Sequence, residues 1–283
     1  MTLPLPKILD LPFFAYGLFM PGEPCHQWIQ SSLTSPPTPD CVRGTLFVRD
    51  GLPLVVLDPL HDSIEGSVLY FKPESQQQTY EQIATFEPRT LYRWQRTFTS
   101  NHGIEVNILV ARSLDKGHPE PFEGNRWSHR YDPVFGEGLR VVAENVHEFG
   151  RESFQSAPPE RFDWPRFFRL QMTYLLLWAA IERYTTLAFG PDLSPMDRVK
   201  RLGASELFQT EVRAHVKRTS VVTDSRNLDP YRLDPASPAD AALYYYQIRN
   251  NLSHRGKGAW NDAELVRKAL QELLEIFKGI LGV

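Results

Sequence analysis

FFAYGLFMPG, residues 13–22, begins with an aromatic and apolar run and reaches a glycine at Tyr16-Gly17. A short apolar run that ends at a glycine is typical of a buried strand followed by a turn. Glycine at this point allows the backbone to turn sharply and exposes amide N–H groups to an anion or a carbonyl oxygen. The stretch therefore predicts the first strand of a β-rich domain and a candidate binding loop at its end.

The sequence that follows continues as short strands. Three more apolar runs are bounded by Gly, Pro or Asp: VRGTLFV (42–48), LPLVVL (52–57) and SIEGSVLYF (63–71). A helical pattern at about residues 78–86 interrupts them. TLYRWQRTFTS and IEVNILVAR then predict a hairpin that turns at Asn101-His102-Gly103. The N-terminal half is therefore predicted to be an α+β domain dominated by strands.

Glu87 lies in TFEPRTLYRW, at the end of the predicted helix and just before a strand. A carboxylate held in a cavity can act as a general base on an amine. The helix dipole disfavours a glutamate at this end, which indicates that another interaction keeps it there. The alternative interpretation is that Gly17 is only a turn residue and Glu87 a solvated carboxylate.

The order FAYGLF, VRGTLF, IEGSVLYF, FEP and YRW resembles the gamma-glutamylcyclotransferase-like fold, over roughly residues 12–111. The resemblance implies a small mixed barrel or sheet in which the loop Tyr16-Gly17-Leu18 holds a glutamyl group. Glu87 would shuttle a proton as the amine closes to release 5-oxoproline, with Tyr92 in the same site. Leu18 replaces the small polar residue that is usual in this loop. The ligand would be a small gamma-glutamyl-like molecule or a protein partner.

The charge of the chain is uneven. The net charge of −3 combines −7 for residues 1–160 (13 Lys+Arg, 20 Asp+Glu) with +4 for residues 161–283 (18 and 14). Such an asymmetry suggests two domains with different partners. Pro and Gly recur between the halves, so the prediction is a domain at 1–111, a connector at 112–161 with a helix at about 137–149, and a domain at 162–283.

The C-terminal half has the periodicity of helices. The sequence predicts a long helix from Trp164 to Phe189, a second of roughly 20 residues that starts at Ser194-Pro195, a loop at 225–237, a third helix from Ser237-Pro238 to Gly256, and a fourth from Asn261 or Asp262. Short connections favour antiparallel neighbours. The expected architecture is an all-α antiparallel four-helix bundle.

RNNLSH, residues 249–254, ends the third helix. If this helix ends near Ser253, His254 can swing back toward Arg249, so that both contact one anion. Histidine titrates near neutrality and can move the proton of a ribose 2′-OH, while a guanidinium can bind the phosphate. Additional phosphate or RNA contacts are expected from Asn251, Arg255 and Lys257. The simpler alternative is that basic residues favour a helix C-terminus.

YYQIRNNLSHRGK resembles the HEPN superfamily, over roughly residues 162–283. The resemblance implies a metal-independent endoribonuclease that leaves 2′,3′-cyclic phosphates, with Arg249 and His254 catalytic and Asn250 supporting. It also implies a homodimer through the helical domain. We therefore expect a toxin-like or defence-like ribonuclease regulated by the N-terminal domain. The alternatives are a gamma-glutamyl-amine cyclotransferase whose helices dimerise, and a non-catalytic nucleotide-binding or RNA-binding protein.

Other classes of site are not indicated. The chain has two cysteines, Cys25 and Cys41, which with His26 make an incomplete zinc site, and no metal or other cofactor is expected. Prolines interrupt the N-terminus, so no signal peptide is predicted. The most apolar run, residues 172–181, is too short to span a bilayer. A cytoplasmic protein with no membrane partner is the expectation.

Overall fold

The computed structural model of the chain describes residues 3–61, 63–115, 117–150, 153–154, 158–190, 193–224, 226–255 and 262–282. The chain divides into two compact units, Met1–Pro133 and Val134–Val283. The division falls within residues 112–161, the stretch expected to be a connector.

The first unit is built on one sheet. Its elements are β1 (Phe13–Ala15), α1 (His26–Gln30), β2 (Thr38–Arg49), β3 (Leu52–Leu57), β4 (Ser63–Leu69), α2 (Gln76–Phe86), β5 (Tyr92–Phe98), β6 (Glu105–Ala111) and β7 (Glu120–Pro121). Among the residues described, seven strands pair in the order β3-β2-β4-β1-β6-β5, with β7 added to β2. β1 and β6 are parallel, and the other pairs are antiparallel.

β2 gives the sheet its barrel-like form. Its first half, Thr38–Arg43, pairs with β4, and its second half, Gly44–Arg49, pairs with β3. Gly44 lies where the partner changes, and a Cβ there would be 2.4 Å from the carbonyl oxygen of Val56. A side chain would therefore prevent the close approach of the two strands. The predicted α+β, barrel-like N-terminal domain is confirmed.

The core of this unit forms around β1. Phe14 pairs with Val68 on one side and Ile108 on the other, and all three side chains are fully buried. Burying each such side chain contributes roughly 1.5–3 kcal/mol. Helix α2 adds Tyr80 and Ile83, also fully buried. The strand that leads into the Tyr-Gly loop is therefore held at the centre of the packed core.

The second unit is mainly helical. Its elements are α3 (Glu137–Gly150), α4 (Trp164–Phe189), α5 (Pro195–Ala204), α6 (Glu206–His215), β8 (Ser220–Thr223), β9 (Pro230–Leu233), α7 (Ala241–Arg255) and α8 (Ala263–Leu281). The expected four-helix bundle is not confirmed, since six α-helices lie in the part of this unit that the structure describes. No described helix has the length and apolar character needed to cross a membrane.

The second predicted helix is two helices. α5 and α6 are separated by Ser205, whose backbone is extended (φ −72°, ψ 134°) and whose hydroxyl accepts a hydrogen bond from the Phe208 amide at 3.3 Å. Ser205 is thus the N-cap of a new helix. Near the end of α5, Gly203 packs against the backbone of Ala239. A Cβ at position 203 would be only 2.4 Å from the carbonyl oxygen of Ala239, so a side chain does not fit there.

The prediction of an all-α domain was wrong, because part of the expected loop at 225–237 is a strand. β8 and β9 form an antiparallel hairpin with Ser220 opposite Leu233 and Thr223 opposite Pro230. The buried Asp224 carboxylate accepts hydrogen bonds from the Arg226 amide and guanidinium in the turn. The polar composition of this stretch predicted a loop. Hydrogen bonds from a side chain to the backbone, as made here by Asp224, stabilise a tight turn instead.

Candidate functional site

A cavity in the first unit contains all of the residues predicted for the first candidate site. It encloses about 300 Å³ of empty space, counting its open mouth, and is lined by Phe13, Ala15, Tyr16, Gly17, Leu18, Phe19, Pro53, Glu87, Tyr92 and Leu109. This volume is at the lower end of the range of small-molecule sites. The walls are apolar except for one carboxyl group and two tyrosine hydroxyls.

The Tyr-Gly loop is held by its carbonyl oxygens. The carbonyl of Gly17 accepts from the Met20 amide at 2.9 Å, and that of Leu18 accepts from the Cys25 amide at 3.0 Å. The Phe19 carbonyl lies 2.9 Å from Nδ1 of His26. Within the described part of the chain, the amide N–H groups of residues 17–19 have no backbone acceptor. The loop is therefore fixed in place through its carbonyl oxygens.

Gly17 is required for a reason that differs from the predicted one. It is not among the residues with positive φ, so the turn itself does not demand glycine. A Cβ at this position would instead lie 2.7 Å from Cγ of Pro53. Glycine is needed here because the Pro53 ring packs against its Cα.

Glu87 is buried beside this loop. It follows α2 with an extended backbone (φ −89°, ψ 124°), as expected for a residue before a proline, and its amide donates to the Ile83 carbonyl. The residue is 8% exposed, and Oε2 has no hydrogen-bond partner in the described chain. Burial raises the pKa of Glu87 to about 8. The alternative of a solvated carboxylate was therefore wrong.

The two tyrosines have a structural function in the cavity. The Tyr16 hydroxyl donates to the Leu109 carbonyl at 2.7 Å, and the Tyr92 hydroxyl donates to the Pro53 carbonyl at 2.7 Å. Burial, followed by the nearby Glu87 charge, raises the pKa of Tyr16 well above its ordinary value. Tyr16 is thus a neutral donor at physiological pH, and Glu87 is the cavity side chain that can exchange a proton near neutrality.

Two neighbours of the site were not predicted from the sequence. Pro53 forms a wall of the cavity, although LPLVVL indicated only a strand. The second neighbour is Cys25, which is close enough to Glu87 to be affected by its charge. Burial, followed by the charges of Glu87 and Glu23, raises the pKa of the Cys25 thiol well above its ordinary value. A thiol in this state is a buried apolar group rather than a nucleophile.

The second candidate site lies on α7. Nη2 of Arg249 is 3.3 Å from Oε1 of Glu182 on α4, and Nη1 donates to Oδ1 of Asn250 at 3.3 Å. Asn251 is also bound within the fold, since its Nδ2 donates to the Thr223 carbonyl at 2.8 Å. The structure thus brings Arg249 and Asn250 together beside a carboxylate.

The third helix was expected to run to Gly256, and α7 is helical as far as Arg255. The condition under which His254 could swing back toward Arg249, a helix that ends near Ser253, is therefore not met. α7 continues through His254 to Arg255, because Leu252 is buried and anchors the last turn against the fold. Arg249 and His254 are therefore about 140° apart around one continuous helix. The side chains of His254 and Arg255, and the whole of Lys257, lie outside the described residues.

Comparison with known proteins bears on the first of these sites. Residues 13–129 match the family described as "Gamma-glutamyl cyclotransferase, AIG2-like", a range that includes every residue lining the cavity. A solved structure entitled "Crystal Structure Of Uncharacterized Protein PH0828 From Pyrococcus horikoshii" is 19% identical, covering 48% of this chain and 98% of that chain with a TM-score of 0.32. No curated protein matches the sequence.

Proposed function

We propose that the AIG2-like gamma-glutamylcyclotransferase domain at residues 13–129 is an active enzyme that releases 5-oxoproline from small gamma-glutamyl amines. The observation that carries the proposal is Glu87, which lines the cavity and whose buried Oε2 has no hydrogen-bond partner among the described residues. A pKa of about 8 makes this group able both to accept and to return a proton near neutral pH.

The proposed reaction is an internal acyl transfer. The neutral α-amine nitrogen of the substrate attacks the γ-carbonyl carbon and closes a five-membered ring. As this N–C bond forms, the Glu87 carboxylate takes one proton from the attacking nitrogen. The developing oxyanion receives hydrogen bonds from the loop amides. Glu87 returns its proton to the leaving nitrogen as the bond between this nitrogen and the γ-carbon breaks, so that 5-oxoproline and a free amine are the products.

Leu18 does not prevent this chemistry. The donors assigned to the oxyanion are backbone N–H groups, which do not depend on the side chain at position 18. Leucine removes the hydroxyl that a serine or threonine would offer, and it leaves the amides of residues 17–19 without a backbone acceptor in the described chain. The loop therefore keeps its electrostatic function while its wall becomes more apolar.

The test is a product analysis with the full-length protein. Incubation with a gamma-glutamyl alkylamine is expected to yield 5-oxoproline and free amine in equal amounts, measured by liquid chromatography and mass spectrometry. Glutamate in place of 5-oxoproline would mean hydrolysis by water and would contradict internal attack by the α-amine. Unchanged substrate from several gamma-glutamyl amines would contradict the proposed function.

As a second candidate, we propose that the helical unit is a HEPN-like, metal-independent endoribonuclease. Support comes from Arg249, whose guanidinium is held between Glu182 and Asn250 on the surface of α7 with 29% of its side chain exposed. A guanidinium at such a position can bind a phosphate and stabilise the charge that develops during cleavage. His254 would supply the acid or base.

The continuous helix makes this activity depend on a second copy. Since Arg249 and His254 are about 140° apart on α7, we propose a homodimer in which two α7 ends form one RNA site, regulated by the N-terminal domain. Light scattering tests the dimer, and a monomer would contradict it. RNA cleavage in EDTA should be lost in Arg249→Ala and His254→Ala and retained in Arg213→Ala, an exposed arginine on α6. Equal cleavage by all variants, or none by wild type, would contradict the assignment.

A further inference from the structure

The cavity lies where two distant strands of the sheet approach each other. β3 is at one end of the strand order, and β6 and β5 are at the other. In the described structure no backbone ladder joins β3 to β5 or β6. The Tyr92 hydroxyl on β5 donates instead to the Pro53 carbonyl on β3. The Tyr16 hydroxyl donates to the Leu109 carbonyl on β6 at 2.7 Å.

Pro53 is the part of β3 that faces the Tyr-Gly loop. Its ring would be 2.7 Å from a Cβ at position 17, so it lies directly on the backbone whose amides are assigned to the oxyanion. Proline has no N–H group and cannot donate to a neighbouring strand, as is usual at a sheet edge. Its carbonyl bond to Tyr92 therefore ties this edge of the sheet to β5.

We propose that Tyr92 is a positioning residue that sets the size limit for the leaving amine by holding Pro53 against Gly17. The inference rests on the proposed cyclotransferase function and extends it to substrate selection. Tyr92 suits this task because its own amide donates to the Pro88 carbonyl at 3.1 Å, in the turn that begins with Glu87. One residue thus links the catalytic carboxyl segment to the wall of the cavity.

Loss of the hydroxyl should widen the cavity. In Tyr92→Phe the Pro53 carbonyl loses a buried donor, and an unsatisfied buried carbonyl tends to move toward water. Pro53 then separates from Gly17, and a bulkier amine fits beside the loop. Pro53→Ala should have the same effect by a different route, because it removes the ring and keeps the backbone carbonyl that Tyr92 binds.

The experiment compares kcat/KM for a small and a branched gamma-glutamyl alkylamine. Tyr92→Phe and Pro53→Ala should each raise the ratio of branched to small substrate on the order of tenfold, the effect expected for one buried hydrogen bond. Tyr92→Phe should add little in the Pro53→Ala background, since both act on the same wall. Tyr80→Phe is the matched control, because it also removes a tyrosine hydroxyl that donates to a backbone carbonyl, that of Leu11, outside the cavity lining.

A proportional loss of rate with both substrates in Tyr92→Phe, or an unchanged ratio in both variants, would overturn the inference. The titration of the Glu87 carboxyl, followed by NMR of ¹³C-labelled glutamate with Glu87→Gln to assign the signal, does not depend on turnover. Tyr92→Phe should admit water to the cavity, and because hydration favours the charged carboxylate, the titration midpoint of Glu87 should fall. If wild type makes no 5-oxoproline, the proposed function fails and the size limit on the leaving amine fails with it. The titration then tests whether Tyr92 holds Pro53 against Gly17. An unchanged midpoint in Tyr92→Phe overturns this positioning, and a lowered midpoint supports it.

Discussion

The Pro53 ring lies against the Cα of Gly17, so closely that a Cβ at position 17 would be 2.7 Å from Cγ of Pro53. Gly17→Ala should therefore push Pro53 outward or shift the loop, and it should destabilise the protein by about 1–3 kcal/mol, as overpacking does. Thermal unfolding of the variant measures the loss of stability, and the rate of 5-oxoproline release measures the effect on the loop.

The matched test of this contact is the double variant. Pro53→Ala removes the atom that the new methyl group would meet, so Gly17→Ala should cost much less stability in the Pro53→Ala background. Equal costs in the two backgrounds would mean that Gly17 is needed for another reason.

Burial of Glu87 should make the stability of the protein depend on pH. Its pKa is raised from 4.5 to about 8 in the folded state, so the folded protein retains a proton that the unfolded chain releases. The resulting contribution to stability is fully present below pH 4.5 and is lost as the pH rises through 8. It amounts to about 5 kcal/mol at most.

Glu87→Gln removes this dependence, because glutamine does not titrate. Calorimetric melting from pH 5 to pH 9 should show the variant gaining stability relative to wild type as the pH rises. A constant difference between the two proteins over this range would contradict a buried carboxyl group at position 87.

Arg249 should matter little for stability. Its bond to Glu182 involves side chains that are 29% and 40% exposed, and Glu182 keeps the Trp178 indole as a donor at 2.9 Å. Exposed pairs of this kind are worth about 0–1 kcal/mol. Arg249→Ala should change the free energy of unfolding by less than about 1 kcal/mol in urea titration. A larger loss would mean that reduced RNA cleavage by this variant reports misfolding.

Much of the first unit follows from local sequence patterns. The runs at 42–48, 52–57 and 63–71 lie within or overlap β2, β3 and β4, because glycine and proline mark their ends. Glu87 was predicted as a site residue from the resemblance to the gamma-glutamylcyclotransferase-like fold, and its position at a helix C-terminus indicated that another interaction keeps it there. In the structure, Glu87 is kept at this position by burial in the cavity.

Local sequence patterns do not predict contacts between distant segments of the chain. The contact of Pro53 with Gly17 and the bond from Tyr92 to Pro53 join residues more than 30 positions apart, and neither affects the periodicity of its strand. Ser205 falls inside the second predicted helix, but its side chain caps the N-terminus of a new helix. The β8–β9 hairpin was missed because its turn is stabilised by the Asp224 carboxylate rather than by glycine.

The most direct test of the cyclotransferase assignment compares the initial rate of 5-oxoproline release by wild type, Glu87→Gln and Glu81→Gln on one gamma-glutamyl alkylamine. Glu81 lies on α2, the helix that directly precedes Glu87; it is exposed and accepts a hydrogen bond from Gln77, so it controls for the loss of a nearby carboxylate. Glu87→Gln should lower the rate by about 10²–10⁴-fold, the range for loss of a general base, while it remains folded. Glu81→Gln should retain the wild-type rate. Equal rates for wild type and Glu87→Gln would contradict the assignment of Glu87 as the proton carrier.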